Sequence, residues 1–228
     1  MGYKEDFIRF MVRSDVLLFG DFVTKSGRNT KYFINTGNYR TGVQAAKLGE
    51  FYATCINENI KNGNIPADTN VLFGPAYKGI PLAVAASIAL AKNFDMDVSY
   101  CFNRKEKKDH GEGGSMVGHK LTAGDRVLIT EDVITAGTAV RETLPILTEN
   151  KDVRIAGLVV SVDRMEKGSG EKTAIQELEE DFGIKTFPIV SVKEVMDTLH
   201  NSPVDGKIYI DDAVRSSMEE YMSKYCVV

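Results

Sequence analysis

From residue 41 onward, short β-branched runs alternate with segments of helical periodicity, and this alternation is what most narrows the fold. Strands joined by helices and running the same way build a parallel sheet with helices on its faces. The runs at 71–73, 98–102, 126–130, 155–162 and 186–190 are read as five strands, the central ones apolar on both faces as buried parallel strands are. Helices are expected at about 41–60, 80–92, 138–149 and 173–182, the last stopped by Gly183. A further helix is expected over 212–225, where Val214, Met218, Met222 and Tyr225 line one face and belong to a core. The fold class is therefore α/β, with a central, mostly parallel, five-stranded sheet flanked by helices.

Residues 1–40 break the rhythm. A short amphipathic helix around Phe7 to Met11 precedes FVTK and KYFIN, two candidate strands about the turn SGRN. Such a hairpin does not stand alone in water. It should pack over the end of the main sheet together with part of the C-terminal region. With 228 residues, 43% of them hydrophobic, the chain buries a full core and is sized for one domain over 1–228, its core at about 41–190.

Several function classes lose support at once. A net charge of −4 leaves no electrostatic footprint for nucleic acid, and the basic cluster at 104–108 is too short to supply one. Cys55, Cys101 and Cys226 are odd in number and show no metal spacing, so they are read as reduced thiols of a cytoplasmic protein. No signal-peptide core, myristoylation pattern or prenylation box is found. The longest apolar run, IPLAVAASIALA at 80–91, falls short of the roughly 20 residues a membrane span needs. The sequence has no GxxxxGK[ST], and GEGGSM at 111–116 fails GxGxxG at its last position, so nucleotide hydrolysis and hydride transfer have no support. His119 and His200 are isolated and are read as structural.

The stretch VLITEDVITAGTA at 127–139 carries the most chemistry. An apolar strand ends in two adjacent carboxylates, Glu131 and Asp132, and then in a small-residue loop that opens a helix. Unpaired N–H groups and the positive dipole end make such a loop an anion site. Adjacent acids would repel a bare phosphate, so the ligand must also bring hydroxyls or a cation. A phosphorylated sugar does so. In FGPAYKGIPLA at 73–83, a strand ends in Gly74 and Pro75, and Pro81 stands where a first helical turn tolerates proline. That loop offers backbone N–H groups and Lys78. RKEKKDHGEGG packs Arg104, Lys105, Lys107, Lys108 and His110 into seven positions beside Gly111, Gly113 and Gly114, as a mobile cationic lid would. Arg164, at the end of VSVDR (160–164), offers a planar fork for a carboxylate.

These motifs, together with TKSGRNTKYF at 24–33, resemble in order and over most of the chain those of the type I phosphoribosyltransferases, and within them the orotate-specific group. The resemblance implies the type I phosphoribosyltransferase fold, with a small hood subdomain made mainly of residues 1–40 and part of the C-terminal region. It also implies transfer of a 5-phosphoribosyl group from 5-phospho-α-D-ribose 1-diphosphate to orotate, giving orotidine 5′-phosphate and pyrophosphate in pyrimidine (UMP) biosynthesis. Mg²⁺ would be required, held mainly through substrate oxygens and not by a direct protein cage. The donor site carried over by resemblance takes in Lys25, Tyr77, Lys78, Arg104, Lys105, Lys108 and His110, then the run Glu131, Asp132, Val133, Ile134, Thr135, Ala136, Gly137, Thr138 and Ala139. Lys105, Lys108, His110 and Asp132 would be the catalytic group. Phe33, Ile34, Thr135 and Arg164 would hold orotate. The family lid closes over the neighbouring subunit, which implies a homodimer with Arg104 and Lys108 acting in trans.

Two departures from the family are visible. The family most often has two Asp where this chain has Glu131 and Asp132, and two aromatics where it has Phe33 and Ile34. Two rival readings are a transferase for another base, which would lack the carboxylate clamp, and a non-catalytic regulator, which would have little use for the lid.

Overall fold

Five parallel strands form the backbone of the molecule at the expected places. The computed structural model of the chain describes residues 2–23, 27–108, 114–134, 137–149, 152–168 and 170–227, with the backbone alone at 106–108 and 114–115. The strands are β3 (Val71–Phe73), β4 (Ser99–Lys108), β6 (Arg126–Val133), β7 (Arg154–Asp163) and β8 (Thr186–Ser191). A further strand, β5 (Gly114–Gly118), runs antiparallel to β4 and gives the sheet order β5-β4-β3-β6-β7-β8. The central sheet therefore has six strands, the sixth being an antiparallel edge.

Side chains alternate across the pleat and fill two cores. On β6 and β7, Leu128 and Val159 face one side, where they meet Phe7, Phe51, Leu82 and Leu90. Val127, Ile129, Leu158 and Val160 face the other, against Leu144 and Leu178. The helices are α1 (Tyr3–Arg13), α2 (Gly42–Lys61), α3 (Gly79–Phe94), α4 (Thr138–Thr148), α5 (Ala174–Phe182), α6 (Val192–Leu199) and α7 (Asp212–Tyr225). Capping boxes start three of them: Thr41 with Gln44, Thr173 with Gln176, and Ser191 with Glu194. Helix α5 ends at Gly183 in the left-handed region, as expected from its sequence. Helix α6 lies outside the expected set; its capping box directly follows β8 with no loop between.

The N-terminal hairpin pairs β1 (Leu17–Val23) with β2 (Asn29–Ile34). β1 starts five residues before FVTK, and its pairing is interrupted by a bulge between Phe19 and Phe22, which hides the period-2 pattern from a sequence reading. The hairpin packs on α7, where Tyr32 meets Tyr221 edge-on at 6.3 Å between ring centroids. Met218, Tyr221 and Met222 of α7 are buried.

The strand order reverses beside β3. From β3 the chain crosses to β4 on one side, then returns to lay β6 on the other. In open α/β sheets a ligand crevice opens at such a switch point, beyond the carboxyl ends of the strands.

Candidate active site

Two of the sequence motifs meet across that crevice. β3 ends at Phe73 and leads into the 74–79 loop, while β6 ends in Glu131, Asp132 and Val133. Lys78 Nζ lies 2.9 Å from Asp132 Oδ2 and donates at 2.9 Å to Thr36 Oγ1. The Thr36 hydroxyl donates in turn to the same Asp132 oxygen. Thr36 belongs to a single 3₁₀ turn after β2, so three segments far apart in the chain converge on one carboxylate.

The acids are held in different ways. Asp132 Oδ1 accepts from the Val133 N–H at 2.8 Å, and Ser161 of β7 donates to its backbone carbonyl. Burial pushes the Asp132 carboxyl up, but Thr36 and Lys78 outweigh it and hold it below the usual range. Glu131 is 8% exposed, and its Oε1 accepts from the Asp132 N–H at 3.1 Å. Burial, helped by the neighbouring Asp132 charge, pushes it up to about 7. Tyr52 of α2 donates to its backbone carbonyl at 2.6 Å and fixes the strand end. Beside Asp132 opens a cavity of about 280 Å³, lined by Tyr39, Tyr52, Pro81 and Leu82, with Thr36, Lys78, Asp132 and Ser161 among its polar groups.

The 74–79 loop is tight because two glycines meet. A Cβ on Gly74 would lie 2.1 Å from the Gly79 carbonyl oxygen, so no side chain fits there. The Ala76–Tyr77 peptide is cis, and Asn103 of β4 accepts from the Ala76 N–H at 2.8 Å. Tyr77 is exposed, with Lys105 Nζ 5.4 Å from its ring centroid. This contact joins the second and third motifs.

The cationic stretch differs from its expected form. β4 runs on through Arg104 to Lys108, and Lys108 pairs with Gly114, so the segment is one strand of a two-stranded arm. Consecutive charged residues read as a loop in sequence, because the run 104–108 has no apolar alternation to reveal a strand. The Lys108 side chain, His110, and Lys25, Thr135 and Ala136 lie outside the described residues. Val133 ends β6 and Ile134 follows it. Gly137, at a φ of 66°, caps α4, which begins at Thr138 and Ala139.

Arg164 follows β7 and is 11% exposed at its side chain. Its guanidinium carbon sits 5.0 Å from the centroid of the Tyr32 ring. Glu166 Oε1 accepts from Nε at 3.1 Å and from Nη2 at 2.5 Å, so the clamp is buried and already paired on one edge. On β2 the pleat turns Tyr32 inward and leaves Phe33 exposed against Phe22, while Ile34 packs on the core. The hood residue lying against Arg164 is thus Tyr32. Thr36, Tyr52, Ser161, Tyr32 and Glu166 escaped the sequence reading as site residues, because each matters through a partner far along the chain or one that its motif does not name.

A crevice at the switch point, with adjacent acids on one strand end and a glycine-tight loop with a lysine on the next, defines an α/β protein that binds a phosphorylated sugar. Residues 35–190 match the model of the phosphoribosyl transferase domain. An orotate phosphoribosyltransferase of Clostridium beijerinckii is 56% identical over 98% of each chain, and one of Lachnoclostridium phytofermentans is 52% identical over 99% of this chain and 98% of its own. The crystal structure of the Francisella tularensis orotate phosphoribosyltransferase superposes with a TM-score of 0.81 at 35% identity, covering 97% of this chain and all of that one. The chain belongs to the phosphoribosyltransferase family and, within it, to the orotate phosphoribosyltransferases.

Proposed function

We propose that the chain transfers the 5-phosphoribosyl group of 5-phospho-α-D-ribose 1-diphosphate to N1 of orotate, releasing pyrophosphate and giving orotidine 5′-phosphate for pyrimidine nucleotide synthesis. The observation that carries this reading is the ionised Asp132 at the end of β6, hydrogen-bonded to Lys78 from the facing loop. Asp132 and Glu131 accept from the ribose 2′ and 3′ hydroxyls. The backbone N–H groups of the 135–138 stretch take the 5′-phosphate. Lys78 leaves Asp132 for the diphosphate, joined there by Tyr77, Arg104, Lys105, Lys108 and His110, while Lys25 reaches the donor. Orotate rests on the hood, with its carboxylate on Arg164 and further contacts from Thr135, Phe33 and Ile34. The hairpin β1–β2 and α7 together form that hood.

The reaction gives these side chains no nucleophilic role, since the bound orotate ring nitrogen is an anion. They orient two anions, exclude water and stabilise the developing oxocarbenium and departing pyrophosphate. Among the described residues no three His, Cys, Asp or Glu side chains converge on one point. Adjacent carboxylates fit a cation that keeps its waters and shares substrate oxygens, so Glu131 and Asp132 are the residues beside which Mg²⁺ belongs. When bound, Mg²⁺ supplies charge neutralisation on the diphosphate.

The working form is a homodimer in which Arg104 and Lys108 serve the partner's site. The apolar face of α2 and α3, with Val43 81% and Ile88 61% exposed, supports a second copy there. Among the described residues no helix is long and apolar enough to cross a membrane. Three free, buried cysteines support a reducing, cytoplasmic setting. Following the orotate ultraviolet band with donor and Mg²⁺ tests the reaction: the band falls if transfer occurs, and unchanged absorbance at micromolar enzyme would favour a regulator.

A further inference from the structure

Arg164 is not a lone cation waiting for a ligand. It is held on two sides before any ligand arrives. Tyr32 lies under the guanidinium plane, and Glu166 Oε1 takes the Nε and Nη2 hydrogens, which form the side-on edge of the fork. Five N–H groups in fixed geometry mean that this pairing leaves the Nη1 end unspent on Glu166. A planar carboxylate arriving at that end would meet a fork whose plane is already fixed.

Glu166 is itself positioned. Met165 has a φ of 56°, in the left-handed region, and Asp163 Oδ1 accepts its N–H at 2.7 Å, so the chain kinks and Glu166 folds back onto Arg164. Tyr221 of α7 donates to the same Glu166 oxygen at 2.8 Å. The backbone after α7 then ties the kink down: Lys167 N–H donates to the Tyr225 carbonyl and Val227 N–H to the Met165 carbonyl, each at 2.9 Å. Glu166 and Cys226 form an antiparallel bridge between them.

We infer that Glu166 and Tyr221 are positioning residues that aim the Arg164 fork at the carboxylate of the base, so that helix α7 takes part in base selection. This rests on the assignment of Arg164 to the orotate carboxylate. An arginine side chain gives up substantial rotamer freedom when a ligand fixes it, and prior pairing removes that cost from the binding step. The negative charge of Glu166 works the other way, because it repels a second carboxylate. Geometry and charge therefore make opposite demands, and two substitutions separate them. Glu166→Ala removes the acceptor, whereas Glu166→Gln keeps an acceptor oxygen and removes the charge.

The test compares KM for orotate, KM for the donor and inhibition by uracil, a base without the carboxylate. Glu166→Ala should raise the orotate KM by ~10-fold or more, the size of a lost charge-assisted hydrogen bond, and leave the donor KM and uracil inhibition within ~2-fold. Glu166→Gln should stay within ~3-fold of the parent, and Tyr221→Phe should raise the orotate KM by ~3-fold. Equal loss for orotate, donor and uracil would reduce Glu166 to a structural role and overturn the inference, as would an unchanged orotate KM. If Glu166→Ala does not fold, Tyr221→Phe carries the test, and an unchanged orotate KM there removes α7 from base selection. Arg164→Ala separates the two layers: if it spares the orotate KM, the carboxylate clamp itself is misassigned, whereas its failure beside a neutral Glu166→Ala rejects the positioning claim alone.

Discussion

Asp132 and Glu131 are neighbours in sequence and opposites in environment. Lys78 and Thr36 hold the Asp132 carboxyl below the usual range, whereas burial pushes that of Glu131 up to about 7. An acid whose folded value lies above its unfolded one binds more protons in the folded state across that window. Stability then falls as pH rises from the unfolded value toward about 7. Glu131→Gln should therefore raise Tm at pH 8 and leave it unchanged at pH 4; a thermal melt series that shows equal effects at both would contradict the burial account. Lys105 poses a separate question at this scale. It stands over Tyr77 at the crevice, and the proposed role at the leaving group implies that Lys105→Ala should lower kcat by more than it weakens orotate binding. Equal losses in the two would point to docking alone. Glu131, Asp132, Lys78 and Arg164 stand out in the sequence as candidates because motif chemistry singles them out. Thr36 was not, since its value comes from an oxygen 96 positions away.

Between elements, α2 packs tightly on α3. Gly49 makes it possible, because a Cβ there would lie 2.5 Å from the Ala85 carbonyl oxygen. Alanine in place of a helical glycine gains about 1 kcal/mol in propensity, but overpacking against rigid backbone costs about 1–3 kcal/mol. Gly49→Ala should thus lower stability on balance, read as a drop in the denaturant midpoint; a rise would mean that the helices part freely. The parallel strands were readable because each is a β-branched run bounded by turns. The outer half of β4 and all of β5 were not, because 104–108 is a run of charged residues without apolar alternation and Gly114 and Gly118 look like loop residues. Helix α6 was hidden by its abutment on β8.

At the scale of the whole molecule, the cationic arm projects from the edge of the sheet, with β5 as the outermost strand. An arm that closes over a partner makes each site composite. Lys108→Ala and Asp132→Ala proteins, each inactive, should then recover activity when mixed and reshuffled, approaching about a quarter of the parent level if half of the dimers are hybrids with one intact site. Mixtures that stay inactive would show that each chain works alone. Sequence alone carried the α/β class and the family, but not the edge arm or the union of α7 with the 164–167 kink, which depend on backbone pairing between distant segments.

The most direct measurement is a crystal structure with 5-phospho-α-D-ribose 1-diphosphate bound. The account predicts that the ribose hydroxyls lie within hydrogen-bonding distance of Asp132 and Glu131, with Lys78 drawn off Asp132 onto the diphosphate. A donor seated elsewhere, with the Thr36–Lys78–Asp132 contacts intact, would contradict it.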